Sequence, residues 1–337
     1  MSNNSGKPIA YGKIGVVGAG AWGTALALTA AQAGRSVTLW AMEPAIVESI
    51  RSTHVNAQFL PDVMLPNAVL ATSDLRAAAQ TDAILLATPA QHLRGMLVRL
   101  APLLVDQTPL VSCAKGIERG SALLLTEVLA QAAPAAQPAI LSGPSFARDV
   151  ARGLPTAVTV AARIDIAERL QASLSHLQFR PYASEDLIGV ALGGAAKNVY
   201  AIGCGVADGL GLGESARAAL LARSFAELTR LGTAMGGRLE TFMGLSGLGD
   251  LVLTATSPSS RNFAFGQRLG QGTPLAELRA PDVPLAEGVE TAPALVARAR
   301  RHGVELPIAE AISAVLDGSL QAAIALERLM ARPLRPE

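Results

Sequence analysis

"KIGVVGAGAWGTALALTAAQAG" (residues 13–34) opens with a short apolar run, passes through glycines at 18, 20 and 23, and continues as an alanine-rich stretch that stops at Gly34. The apolar run reads as a strand, the glycines as a turn, and the alanines as a helix closed by a C-terminal glycine. "RSVTLWAME" (35–43) then reads as a second strand. Together they make a strand, helix, strand unit of about the length that a right-handed crossover requires. Gly18, Gly20 and Gly23 keep the G-x-G-x-x-G spacing. The first glycine permits a tight turn, the second lets a pyrophosphate approach the backbone, and the third lets the helix pack close to the strand. Alone the spacing is weak, but between a strand and a helix it points to a dinucleotide. Glu43 lies 20 residues beyond Gly23, where an acid could accept hydrogen bonds from an adenosine ribose. A solvated loop acid is an equal reading of that residue.

Working outward, further strands are expected at "DAILLATP", "TPLVSCAKG", "PAILSGP", "TAVTVAA" and "LQFRPY", with helices at "QHLRGMLVRLAPLL" and "SALLLTEVLAQAA". This alternation predicts an α/β, mostly parallel, doubly wound sheet. After about Glu185 the β-branched runs stop, and helices are expected over 186–208, 214–235, 260–270, 291–303 and 307–316. The division that follows is a lead-in over 1–12 read as disordered, a dinucleotide-binding domain over 13–185, an all-helical substrate domain over 186–330, and a tail over 331–337. The cleft between two such domains is the natural place for a substrate.

Composition narrows the partners. The chain has 337 residues, half of them hydrophobic, only 4% aromatic, and a formal charge of +1. Ala, Val, Leu and Gly must therefore supply the packing, and nothing argues electrostatically for nucleic acid or an acidic membrane. Cys113 and Cys204 form no CxxC pair, so no disulfide framework or metal site is expected, and a reducing cytoplasm fits. The apolar run 187–207 is long enough for a bilayer, but Lys197 at its centre would be costly there, so no membrane span is expected. His54, His92, His176 and His302 show no ligand spacing, and "ARARRHG" (297–303) reads as a solvated helix end.

Four stretches carry chemistry. "SCAKGIE" puts Lys115 after one expected strand, and "LSGPSFA" puts Gly143, Ser145 and Ala147 after another, at the sheet edge where open α/β folds bind ligands. "ALGGAAKNVYAIGCGVADGL" (191–210) surrounds Lys197 with Gly193, Gly194 and Ala201 on one helical face. That clearance is read as room for a ligand, and burial lowers a lysine's pKa towards the range useful for proton transfer; snorkelling is the alternative. "GLSGLGDLVLTATSPSSRN" adds Asp250 in a glycine-rich turn, Thr254 one helical turn later, and Ser260, Arg261 and Asn262 at a helix start. Capping serines beside an arginine suit a phosphate.

Seven motifs, "GAGAWGTALA", "CAKGIE", "LSGPSFA", "KNVYAIGCGVADGL", "GLGDL", "SRN" and "EGVET", stand in order between Ile14 and Pro307. Together they resemble the bacterial-type NAD(P)-dependent glycerol-3-phosphate dehydrogenases. The resemblance implies a Rossmann-type domain followed by a helical domain of the 6-phosphogluconate dehydrogenase kind, with NAD or NADP as cofactor. It implies that Ala21 and Trp22 contact the cofactor, that Lys115 touches cofactor and substrate, that Gly143 and Ser145 contact substrate, and that Ala147 lines the cofactor. Lys197 takes the proton-acceptor position, with Asn198, Asp250 and Thr254 beside the reacting hydroxyl. Arg261 and Asn262 hold the substrate phosphate with Ser260 adjacent, Arg261 also reaches towards the cofactor, and Leu285 and Glu287 fall near the nicotinamide.

The resemblance implies sn-glycerol 3-phosphate and dihydroxyacetone phosphate as the interconverted pair, serving phospholipid synthesis in the cytoplasm, with a homodimer left open. One position departs from it. Where relatives often carry a basic residue or histidine that meets the 2′-phosphate of NADP, this chain has Met42, next to Glu43. Arg35 and Arg51 are the nearby cations that could compensate. The rivals are a ketopantoate or 6-phosphogluconate type reductase and a catalytically silent cofactor sensor.

Overall fold

The computed structural model describes residues 8–280, 283–331 and 333. Residues 1–7 of the expected lead-in, and 332 and 334–337 of the expected tail, lie outside the described residues. The lead-in is shorter than expected. Tyr11 is buried, its amide donates to Ser173 Oγ at 2.7 Å, and the Arg169 guanidinium lies 4.0 Å from its ring centroid. A large aromatic with an apolar pocket and a cation over its face is fastened three ways at once.

The chain divides into two compact units. The first runs to Ala114 and resumes over Leu125–Val190. It carries an eight-stranded sheet of β1 (Lys13–Val17), β2 (Ser36–Trp40), β5 (Val69–Thr72), β6 (Ala83–Leu86), β7 (Pro109–Ser112), β8 (Gln137–Ser142), β9 (Thr156–Ala161) and β10 (Phe179–Ser184). The small hairpin β3 (Val55–Asn56) and β4 (Leu60–Met64) stands apart from it. The spatial order is β10-β9-β8-β7-β6-β1-β2-β5, and every neighbouring pair is parallel except β8 with β9. β6 and β7 are buried along their whole length, as continuous apolar runs covered on both faces should be. Strand order reverses where β1 lies between β2 and β6, which places the switch-point crevice at the glycine turn that follows β1. The sheet is thus Rossmann-type.

The second unit comprises Lys115–Leu124 and the chain from Ala191 onward. Its helices include Leu187–Gly209, whose first turn belongs to the other unit, then Gly213–Ala234, Leu239–Met243, Asp250–Thr256, Arg261–Gly270, Glu287–Arg301, Pro307–Leu316 and Ala322–Met330. The helix Leu187–Gly209 is long and apolar enough to cross a membrane, yet 89% of its most apolar window is buried within the protein. "LSGLG" (Leu245–Gly249), expected as a turn, is a π-helical turn that feeds directly into Asp250–Thr256. The helix expected from Ser121 begins only at Leu125. Residues 121–124 instead close a strap in which Glu118 N–H donates to Leu123 O, Ala122 N–H to Glu118 O, and Ile117 bridges Leu124.

Candidate active site

Helix Leu187–Gly209 presents Lys197 near its middle, only 6% exposed. Its Nζ donates to Asp250 Oδ1 and to Thr254 Oγ1, both at 2.7 Å. Asp250 begins its helix and Thr254 follows one turn later, so both side chains fall on one face. Asp250 Oδ2 accepts from Lys115 Nζ at 2.6 Å, which makes one buried carboxylate a bridge between two lysines. Asn198, next along the helix, donates from Nδ2 to the Lys115 carbonyl at 3.1 Å and accepts at Oδ1 from Asn262 Nδ2 at 2.9 Å. Asn262 Oδ1 in turn accepts the Gly288 N–H at 2.9 Å. Lys115, Lys197, Asn198, Asp250, Thr254 and Asn262 therefore form one connected polar cluster in the helical unit.

The charges follow from burial. Burial pulls the Lys197 pKa down to about 8, against the opposing pull of Asp250 and with help from the Lys115 ammonium. Burial would raise the Asp250 carboxyl, but the Lys115 and Lys197 ammoniums outweigh it and hold the group below its ordinary range. Two cations share one carboxylate in a dry place, so the cluster is electropositive when both lysines are protonated. Such a site favours an anion or a developing alkoxide. An ammonium has three N–H donors, and the two bonds described use two of them, leaving one direction from Lys197 for a reacting oxygen.

The expected phosphate holders have more specific jobs than their sequence implied. Ser260 Oγ accepts the Phe263 N–H and so is the N-cap, where the sequence left Ser259 and Ser260 as alternatives. Arg261 is exposed at the first helical position, while the Asn262 amide is largely spent on Asn198 and Gly288. Of the residues read as leaving space around Lys197, Gly193 is occupied by backbone. A Cβ built on Gly193 would meet the Ser246 carbonyl oxygen at 2.5 Å, so this glycine lets the π-helical turn press against the lysine's helix rather than leaving room for a ligand. Leu285 is half exposed, and Glu287 opens the helix Glu287–Arg301.

In the sheet unit the glycine loop suits a dinucleotide. Gly18 has φ +110°, which favours glycine, and a Cβ on Gly23 would meet the Gly18 carbonyl at 1.8 Å. Gly20 has nothing within 4 Å of its would-be Cβ, the open approach a pyrophosphate needs, and Ala21 starts the helix behind it. The Trp22 indole N–H, one residue into that helix, is buried without a hydrogen-bond partner. Gly143 has φ +145° and lies against the β9 backbone at Val158; Ser145 Oγ donates to the Gly143 carbonyl, and Ala147 opens a short helix. Met42 is 64% exposed and Glu43, also exposed, is the N-cap of the helix Pro44–Thr53. Of the two arginines named for this position, Arg35 donates to Ala33 O and Arg51 Nε to Ala71 O. Among the described residues no cluster of potential metal ligands occurs.

Two buried groups escaped the sequence reading. Arg298, placed in a solvated charge run, is 8% exposed and donates to Ala122 O. Glu227 is buried and accepts from Ile308 N–H, Ala309 N–H and the Tyr200 hydroxyl. Arg298 did leave a signal, since it sits one turn from Leu295 within the helix's apolar stripe.

Comparison with known proteins shows the family. Residues 13–167 match the family described as NAD-dependent glycerol-3-phosphate dehydrogenase N-terminus, and 186–327 match its C-terminus. A "Glycerol-3-phosphate dehydrogenase [NAD(P)+]" of Parvibaculum lavamentivorans is 56% identical, covering 98% of this chain and 99% of that protein. A solved glycerol-3-phosphate dehydrogenase from Coxiella burnetii superposes with a TM-score of 0.90 at 37% identity, over 96% of this chain and 100% of the other. A ketopantoate reductase from Ralstonia eutropha, at 17% identity and TM-score 0.60 over 93% and 99%, shares the fold alone.

Proposed function

Because the chain belongs to the NAD-dependent glycerol-3-phosphate dehydrogenase family, we propose that the Lys115–Asp250–Lys197 cluster is where it interconverts sn-glycerol 3-phosphate and dihydroxyacetone phosphate. The observation that carries this reading is the buried bridge of two lysines through one carboxylate. The Gly18–Gly23 loop would hold a nicotinamide cofactor, which would supply the hydride chemistry when bound. The protein's own residues handle the oxygen. In oxidation neutral Lys197 removes the hydroxyl proton; in reduction its ammonium returns one to the forming alkoxide. A pKa of about 8 lets the same amine do both near neutrality. Lys115 adds positive charge where the oxygen becomes negative, and Asp250 fixes both amines while limiting their repulsion.

Arg261 and the amides at the start of its helix offer donors to the substrate phosphate, so binding energy remote from the reacting carbon orients it. Met42 and Glu43 favour NAD over NADP, because an exposed carboxylate without a cation repels a 2′-phosphate. The glycerol 3-phosphate formed would supply phospholipid synthesis, and two buried cysteines, Cys113 and Cys204, suit a reducing cytoplasm.

The test is dihydroxyacetone phosphate added to protein and reduced cofactor. The expected result is oxidation of NADH faster than of NADPH, none with unphosphorylated dihydroxyacetone, and loss of turnover but not of cofactor binding in Lys197→Ala. Near wild-type turnover of Lys197→Ala would remove that residue from the reaction.

A further inference from the structure

Lys115 reaches Asp250 from a part of the chain otherwise occupied with the sheet. It heads the strap Lys115–Leu124, which belongs to the helical unit and has Ile117 and Leu124 as its apolar feet, both buried. The strap is not relaxed. Ala122 has φ +54°, a left-handed conformation that residues with a Cβ avoid, and it is almost fully buried. Three contacts from one helix hold it there. In Glu287–Arg301, Glu290 Oε2 accepts from Arg119 Nη1 at 2.8 Å, Arg298 Nη1 donates to Ala122 O at 3.1 Å, and Arg301 Nη1 donates to Ser121 O at 2.6 Å.

The three are unequal. The Arg119–Glu290 pair is exposed on the arginine side and worth little, and Arg301 is exposed as well. Arg298 is buried, and it holds the carbonyl of the one strained residue. All three donors are guanidiniums, and only the Arg298 bond is made in a buried place, where water competes with it least. At the other end, Asn198 fixes the Lys115 carbonyl.

We propose that Arg298 is the positioning residue for Lys115, locking the crown of the 115–124 strap so that the Lys115 ammonium stays on Asp250. This rests on the reading of Lys115 as part of the reacting cluster. If the strap loosens, Lys115 leaves Asp250 and its positive charge leaves the neighbourhood of Lys197. The Lys115 charge is one of the influences lowering the Lys197 pKa, so the consequence has a sign: Lys197 should titrate at higher pH.

The experiment uses the full-length enzyme with Arg298→Met, Arg298→Lys and Lys115→Met in parallel. Arg298→Met should lower kcat by about tenfold or more, in line with the cost of a small misplacement of a reacting group. It should leave NADH binding intact, and it should shift the pH limb of the reduction near pH 8 upward. Arg298→Lys, which keeps a buried cation, should recover part of the loss. Hydrogen exchange should quicken at the Glu118 and Ala122 amides and not in the long helix Leu187–Gly209. Wild-type kcat and pH limb in Arg298→Met, or a lowered Tm with the limb unmoved, would overturn the proposal. Full turnover in Lys115→Met would instead sink the reading of the cluster, and the exchange data would still decide whether Arg298 holds the strap.

Discussion

Gly20 and Gly193 both stand beside residues proposed to act in the reaction, and their surroundings are opposite. Gly20, in the loop after β1, faces open space, with no protein atom within 4 Å of where its Cβ would stand. Gly193, one turn before Lys197, is already filled by the Ser246 carbonyl, and its lack of a side chain serves the protein's own backbone. The sheet unit spends this glycine on access, whereas the helical unit spends it on bringing Asp250 close enough to serve Lys197. The same residue type thus marks an open surface in one region and a packing seam in the other.

The comparison breaks most visibly at the seam. Gly193→Ala should destabilise the protein by about 1–3 kcal/mol, the cost of overpacking a filled contact, and should cut turnover sharply because the Leu245–Gly249 turn and Asp250 must shift together. Thermal denaturation with steady-state kinetics measures both; unchanged Tm and kcat would mean the seam is soft. Gly20→Ala should do the reverse. No protein atom is near enough to clash, so Tm should barely move, while the apparent Kd for NADH rises about tenfold, equivalent to ~1.4 kcal/mol of lost pyrophosphate contact. An unaltered Kd would show that the cofactor does not approach this backbone.

The smallest effect concerns a second buried acid in the helical unit. Pro307 and Leu306 can offer no side-chain cap to the helix Pro307–Leu316, and Glu227 from the helix Gly213–Ala234 takes its Ile308 and Ala309 amides instead. Burial pushes the Glu227 pKa up to about 7, although those amide bonds pull it back. The folded state therefore binds more protons than the unfolded one between the ordinary value of 4.5 and about 7. The stabilisation is full below that window and is lost as pH rises through about 7. Tm should fall more steeply from pH 5 to pH 8 in the wild type than in Glu227→Gln; parallel slopes would refute the shift.

How much of this was legible depends on the range of the interaction. Local chemistry showed plainly. The first and third glycines of the loop have the left-handed φ and the close packing that their spacing implies, and Ser260 caps its helix as its position before Arg261 suggests. The weakly patterned elements were missed. β5 is four residues long, and the helix Asp250–Thr256 grows out of a glycine run that reads as a turn, because a π-helical turn depends on what packs against it. Arg298 looked solvated because its neighbours Arg300 and Arg301 carry charge, and only the strap beneath it makes that position an interior one.

By itself, then, the sequence determined the mostly parallel sheet, the glycine loop and the residue types of the cluster, because strand runs, turn glycines and caps are set by atoms a few bonds apart. Tertiary structure alone decided that Lys115 and Asp250, 135 positions apart, share one carboxylate with Lys197, and that Arg298 and Ala122, 176 apart, hold the strap in place. Burial is the physical reason. An ion pair or a charged donor to a carbonyl acquires its strength, and its hold on a pKa, only once folding has removed the water around it.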